Sequence, residues 1–322
     1  MEPSEVQPAT AVPPDVDDGL SNEDADLTKN ILHSPGERAI EYALGACALI
    51  SVLTTLGIAA VLVVESVPFF AEVSLTSFFG DTRWTPEYAE QHFGIWPLLA
   101  GTLMITALAA VVALPLGLMS AVYISEYAPR SVRTWLKPAL EILAGVPTVV
   151  YGYFALTFVT PLLDSFVSGL STYNALSAGL VVGVMIIPMV ASLSEDALQA
   201  VPRSMREGGY ALGATKIEVT SRVVVPGALG GIVAGFILAL SRAIGETMIV
   251  TIAAGQQANL TADPTQSIRT MTAYIAQIAS GDIAQGTIVY DSIFAVGLVL
   301  FLITLGMNLF ANAFVRRYQE RY

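Results

Sequence analysis

The sequence predicts an all-α membrane protein with six transmembrane helices, and three observations carry that expectation. Of its 322 residues, 54% are hydrophobic and only 13% charged, with a mean hydropathy of +0.64, too apolar for a soluble domain. Six windows, roughly 41–67, 97–124, 138–162, 174–193, 227–253 and 290–315, each supply the roughly 20 mostly apolar residues that a helix needs to cross a bilayer core. Lysine and arginine are concentrated in alternate loops between those windows.

Residues 1–38 precede the first window and hold nine of the 27 acidic residues, opposed only by Lys29 and Arg38. Rich in Pro, Asp, Glu and Ser and poor in aromatics, the segment buries too little surface to fold and reads as a disordered acidic tail. Its start, MEPSEVQPAT, lacks the positive region and adjoining apolar stretch of a secretory signal. The apolar run from near Ile40 reads instead as an uncleaved anchor, and with the following outer loop it makes up residues 39–96. Cys47, the single cysteine, excludes an internal disulfide, and no Cys/His cluster has metal-ligand spacing. His33 and His92 are isolated and read as solvated. No clustered basic face points to nucleic acid.

The loop at 124–137 contains Arg130, Arg133 and Lys137, that at 194–225 contains Arg203, Arg206, Lys216 and Arg222, and the C-terminus contains Arg316, Arg317 and Arg321. The alternate loops hold Arg83 and Arg269 among many more acids. Both termini are therefore expected in the cytoplasm. Trp84, Trp96 and Trp135 fall at span ends, where interfacial aromatics belong. In the outer loop at 254–289, Ile268, Met271, Ile275 and Ile278 recur at helical spacing, as a helix packed on the bundle or one meeting an external partner would. Prolines and glycines within the spans, including Pro115, Pro147, Pro161 and Pro188, are tolerable where neighbouring helices satisfy freed backbone groups.

The hydrophilic interruption Glu207–Pro226, EGGYALGATKIEVTSRVVVP, is the most distinctive cytosolic segment. Pro202 starts a helical stretch through Leu212, Gly213 permits the tight conformation that ends it, and Ala214–Val224 reads as a second short helix. Pro226 opens the next apolar run, where its missing amide hydrogen costs nothing. A helix–Gly–helix knob of this kind fits a groove on a soluble partner.

Here the chain resembles the membrane subunits of ABC importers. Their cytosolic motif runs Glu-Ala-Ala, three residues, Gly, nine residues, Ile, any residue, Leu-Pro. Glu207-Gly208-Gly209, Gly213 and Val223-Val224-Val225-Pro226 keep the complete spacing, with glycines for both alanines and valines for Ile and Leu. Each glycine should weaken the first short helix by roughly 1 kcal/mol relative to Ala. The resemblance implies a type I (MetI-like) permease bundle over residues 97–317, with coupling loop 203–226 and a C-terminal tail at 318–322. It assigns Glu207, Gly208, Gly209, Gly213 and Pro226 to coupling with an ATPase. The chain contains no GxxxxGK[ST], so ATP and its Mg are expected on a separate polypeptide, and no cofactor or catalytic residue is expected here.

The fifth window contains Ser241-Arg242-Ala243-Ile244-Gly245-Glu246-Thr247-Met248. Arg242 and Glu246, four apart, would share one face of a continuous helix and could pair. Counted along a straight helix from Pro226, Arg242 would lie about 24 Å away, beyond the midplane. Ionisable residues at such depth cost ~2.5–3.5 kcal/mol or more and face the protein interior or a water-filled path. As a functional site, Arg242 meets an oxyanion or switches partners; as a structural one, the pair ties neighbouring helices. Glu65 and Glu141, nearer span ends, read as interfacial.

RAIGETM also resembles the phosphate-specific permeases, as do Leu143–Gly152 and Ala113–Gly117, and Met248-Ile249-Val250 favours one of their two sister subunits. That likeness implies phosphate as cargo and Arg242 and Glu246 in its pathway. The implied partners are a PstA-like permease, two PstB-like ATPases, a PstS-like external phosphate-binding protein and the phospholipid membrane. Sulfate or molybdate stays open as cargo, and so does the sister-subunit assignment. An ATP-independent secondary transporter would give no reason for the spaced cytosolic motif.

Overall fold

The computed structural model describes residues 35–281 and 283–318, so the acidic segment up to residue 34 lies outside the described residues. Met1–Ile58 and Ala59–Tyr322 separate into two units; the first described helix begins in the first unit, and all later elements belong to the second. Among the described residues the secondary structure is helical, with one isolated antiparallel bridge, Trp84 to Phe93.

The helices run in chain order as α1 (Pro35–Glu72), α2 (Leu75–Gly80), α3 (Trp96–Val122), α4 (Arg130–Gly145), α5 (Thr148–Phe154) and α6 (Thr160–Asp164). Then come α7 (Ala175–Ala200), α8 (Arg203–Ala211), α9 (Lys216–Val219), α10 (Val225–Gly227), α11 (Leu229–Ile244), α12 (Met248–Ala253), α13 (Met271–Ser280) and α14 (Ile288–Tyr318). Single π turns extend α3, join α5 to α6 and join α9 to α10.

Among the described residues, four helices are long and apolar enough to cross a membrane, and the number rises to six if two bent pairs each count as one span. The bends correct the sequence expectation. The third window was expected as one helix, but Arg130–Gly145 and Thr148–Asp164 meet at 87°. Val146 is extended because Pro147 disfavours the helical region in the preceding residue. The segments Lys216–Gly227 and Leu229–Ile244 meet at 68°, and α11 stops at Ile244 although the fifth window ran to 253. The rise of about 24 Å to Arg242 assumed a straight helix from Pro226, which this bend removes.

The most extensive helix interface joins α3 to α7. A Cβ on Gly179 would sit 2.6 Å from Leu108 Cβ, and one on Gly183 would sit 2.9 Å from Val112 Cβ. These glycines on one face of α7 let the two backbones approach, the device that drives helix association where lipid offers no hydrophobic gradient. Small and β-branched residues fill the core there, with Ala109, Ala113, Val181, Val182, Ile186 and Val190 all buried.

A second apolar cluster is aromatic: Phe69, Phe78, Trp84, Phe93 and Tyr274 pack edge to face with centroids 5.0–6.4 Å apart. Trp84, expected at an interface, is therefore interior at 2% exposure, whereas Trp96 and Trp135 are exposed. The 254–289 segment contributes α13, whose Met271 and Ile278 are buried in this cluster, so its helical spacing reflects packing on the bundle. A third cluster joins Ala121, Leu198, Val201, Val219, Val224, Ala228 and Ile232 and seats the base of the 203–226 loop.

Candidate functional site

The helix–Gly–helix knob takes shape as expected. α8 ends at Ala211, Gly213 adopts φ +81°, and its N–H donates to Tyr210 O at 2.9 Å. That left-handed conformation suits glycine because it has no Cβ to clash. The Thr215 backbone N–H donates to Glu218 Oε2 at 2.8 Å, and a reciprocal bond from the Glu218 N–H to the Thr215 side chain completes a capping box on α9. The two short helices lie close together: a Cβ on Gly209 would come within 2.9 Å of Val219 Cγ2, while one on Gly208 would meet nothing within 4 Å. The two glycines of the motif therefore differ, one required by packing and the other facing open space.

Arg206 fastens the knob to the bundle. Its guanidinium donates to Val201 O at 2.6 Å, Leu198 O at 2.7 Å and Glu126 Oε1 at 3.1 Å, closing the C-terminal end of α7. A cation that satisfies the last carbonyls also complements the helix dipole. Away from that anchored base the tip is apolar and open, with Leu212 90% and Ile217 67% exposed and Tyr210 exposed as well. Glu207 is exposed on α8 and Pro226 on α10. Val219 and Val224 are buried, so the knob turns one apolar face inward and another outward.

Arg242 and Glu246 do not pair. α11 ends between them, at Gly245, whose N–H reaches Ser241 O at 3.2 Å. Glu246 is buried, and its Oε1 accepts from the backbone N–H of Met248 at 3.1 Å and of Ile249 at 3.2 Å, at the head of α12. Its carbonyl accepts from Thr272 Oγ1 at 2.6 Å, which ties the break to α13. A carboxylate satisfied by helix N-terminal amides has no need of a guanidinium.

Arg242 instead lines a cavity of about 420 Å³ between α4, α7 and α11, shared with Lys137, Glu141, Ser192 and Glu195. Its side chain makes no hydrogen bond or ion pair with any described residue. Glu141, read as interfacial from the sequence, belongs to this cavity. Glu195 is 5% exposed and accepts from Arg133 Nη2 at 2.5 Å, Lys137 Nζ at 2.8 Å and Gln199 Nε2 at 2.6 Å. Sequence reasoning missed this cluster. The one available signal was Arg133 and Lys137 standing four apart, one helical turn.

At the end of the bundle that holds the aromatic cluster, His92 is paired rather than isolated, its Nδ1 lying 2.7 Å from Asp81 Oδ2. Arg269, buried over the Tyr274 ring, bonds Glu87 Oε1 at 2.9 Å and Gln277. Among the described residues, no group of three or more His, Cys, Asp or Glu is placed to hold a metal.

Residues 113–321 match the family model described as "Binding-protein-dependent transport system inner membrane component". The chain is 31% identical over 291 residues to the probable ABC transporter permease protein YqgH of Bacillus subtilis, covering 88% of this chain and 94% of that protein. It is 33% identical over 264 residues to the phosphate transport system permease protein PstC of Mesorhizobium japonicum, covering 76% and 80%. In three dimensions it resembles a chain of a bacterial alginate ABC transporter, with a TM-score of 0.61, 16% identity and coverage of 88% and 98%. That likeness shows the fold of an ABC importer permease.

Proposed function

The chain belongs to the family of binding-protein-dependent transport system inner membrane components, and we propose that it is a permease subunit of an ATP-driven phosphate importer. It is a multi-pass membrane protein with the type I importer permease fold, and its family works with a partner ATPase and a substrate-binding protein. The observation that carries the coupling half of the proposal is the knob, whose apolar tip at Leu212 and Ile217 is exposed beyond a base fixed by Arg206. A helix pair that leaves large apolar side chains outside while burying Val219 and Val224 fits insertion into a groove.

Phosphate as cargo draws support from the relatives named for phosphate transport and from the unpaired Arg242 facing a cavity. A guanidinium presents planar donors suited to an oxyanion. Glu246 contributes by capping α12 at the break beside Arg242, so that the helix carrying the arginine ends at this level. In this reading both termini lie in the cytoplasm, and the chain pairs with a PstA-like permease, two PstB-like ATPases and a PstS-like binding protein. ATP binding closes the ATPases and moves the knob, and the spans rock around the cavity. Each state is held by a ligand that prefers it. Affinity purification of the tagged chain from its native membrane tests the assembly: a P-loop ATPase should co-purify at two copies per copy of the chain. Its reproducible absence would count against the proposal.

A further inference from the structure

Among the charged clusters that the sequence motifs leave unassigned, the Arg133–Lys137–Glu195–Gln199 group borders the cavity that Arg242 lines. We propose that this cavity is a two-cation oxyanion site, with Lys137 from α4 and Arg242 from α11 as its ligands and Glu195 as the internal anion that holds Lys137 while the site is empty. The proposal rests on the cavity being the cargo pathway.

Four observations carry it. Lys137 and Arg242 come from different helices and line the same cavity of about 420 Å³, to which Ser192 adds a hydroxyl. Arg242, exposed near the end of α11, has no protein partner among the described residues, so its donors are open to an anion that enters the cavity. Glu195 accepts from three donors, so it can release Lys137 and still keep Arg133 and Gln199. Lys137 is 42% exposed, whereas Glu195 is 5% exposed, so the lysine has open space to swing into and the carboxylate is enclosed. Lysine is also the suitable residue for an exchange of partners, being a point charge on a flexible stem, while Arg133 keeps its own bond to Glu195 Oε1.

Glu141 lines the cavity as well, one turn from Lys137. A carboxylate beside two cations weakens the grip on an anion, and a conduit must release what it binds. In the filled state the oxyanion accepts from Lys137, Arg242 and Ser192. When it departs, Lys137 returns to Glu195, which resets the site without leaving the lysine unpaired.

The complex of both permeases and the ATPases, purified without the external binding protein and held in neutral phosphatidylcholine nanodiscs, tests this with radiolabelled inorganic phosphate. Lys137→Gln should weaken saturable phosphate binding about tenfold, as loss of one charge-assisted bond does, and Lys137→Arg should restore most of it. Glu195→Gln should act in the opposite sense and tighten binding several-fold, because Lys137 is no longer held. Opposite signs are what a merely structural ion pair would not give. If both variants weaken binding together with the melting temperature, or if the unaltered complex binds no oxyanion, the proposal is overturned. If phosphate binding falls only when phosphatidylglycerol is added and Lys137→Gln abolishes that fall, the cations serve lipid headgroups and the proposal is likewise overturned. Sulfate binding with the same Lys137 dependence, without phosphate binding, would support the site while overturning phosphate as its cargo.

Discussion

Glu246 follows Arg242 by one helical turn, yet the two side chains part: Glu246 Oε1 accepts from Met248 N at 3.1 Å and Ile249 N at 3.2 Å, while Arg242 lines the cavity between α4, α7 and α11. Gly245 ends α11 between them, so the carboxylate serves the next helix and the guanidinium keeps its donors free. The two residues therefore respond differently to substitution.

Glu246→Ala removes the acceptor for two amides at the head of α12 and should destabilise the complex by ~1 kcal/mol, the usual loss for an N-terminal cap. Glu246→Gln retains an oxygen acceptor and should recover part of that loss. Thermal unfolding of the purified complex measures both. Equal melting temperatures for Ala, Gln and the native residue would show that the cap contributes nothing.

Substitutions in the knob should act on coupling rather than on the bundle. Leu212→Asp places a charge at the exposed apolar tip and should lower ATPase co-purification or transport-coupled hydrolysis severalfold with the permease still folded. Gly213→Val forces a β-branched residue to φ +81°. That strain costs roughly 1–2 kcal/mol and should have the same effect through geometry. Bulky replacement of Glu207, exposed on the same element, should likewise weaken association.

Gly208 and Gly209 should separate cleanly. Gly208→Ala meets open space and should slow amide exchange in α8 about fivefold, the equivalent of ~1 kcal/mol of helix propensity. Gly209→Val should speed exchange there, because its side chain would enter the space held by Val219 Cγ2. The same response at both positions would contradict the packing described.

The capping box gives α9 a pH dependence. Bonds from the Thr215 backbone N–H and then its hydroxyl hold the Glu218 carboxyl below its ordinary value. A depressed folded value means the stabilisation is fully present above the ordinary carboxylate pKa of about 4.3 and is lost as pH falls through the lower folded value. Amide exchange over 215–220, corrected for intrinsic rates, should show protection flat above about pH 5 and declining below about pH 4. Glu218→Gln should abolish that decline.

Much of this organisation was legible because it depends on local signals. Apolar length marked the spans, Gly213 marked the turn, and the Glu207–Pro226 spacing marked the knob, while the burial of Val219 and Val224 at its base came from the structure. The bends were not legible, because a proline inside an apolar window fits either a kinked helix or a broken one, and packing decides between them. The Arg242–Glu246 pair failed for a related reason. Helical spacing implies a shared face only while the helix continues, and Gly245 ended it. The Glu195 cluster escaped notice because Arg133 and Glu195 lie 62 residues apart and meet only when α4 folds back onto α7.

Arg242 is the residue on which the pathway reading depends, and proteoliposomes containing the whole importer and its binding protein test it most directly. Labelled phosphate uptake should be ATP-dependent, should yield to excess unlabelled phosphate but not to sulfate or molybdate, and should vanish in Arg242→Ala while all subunits still assemble. Uptake at the native rate in that variant would contradict the account.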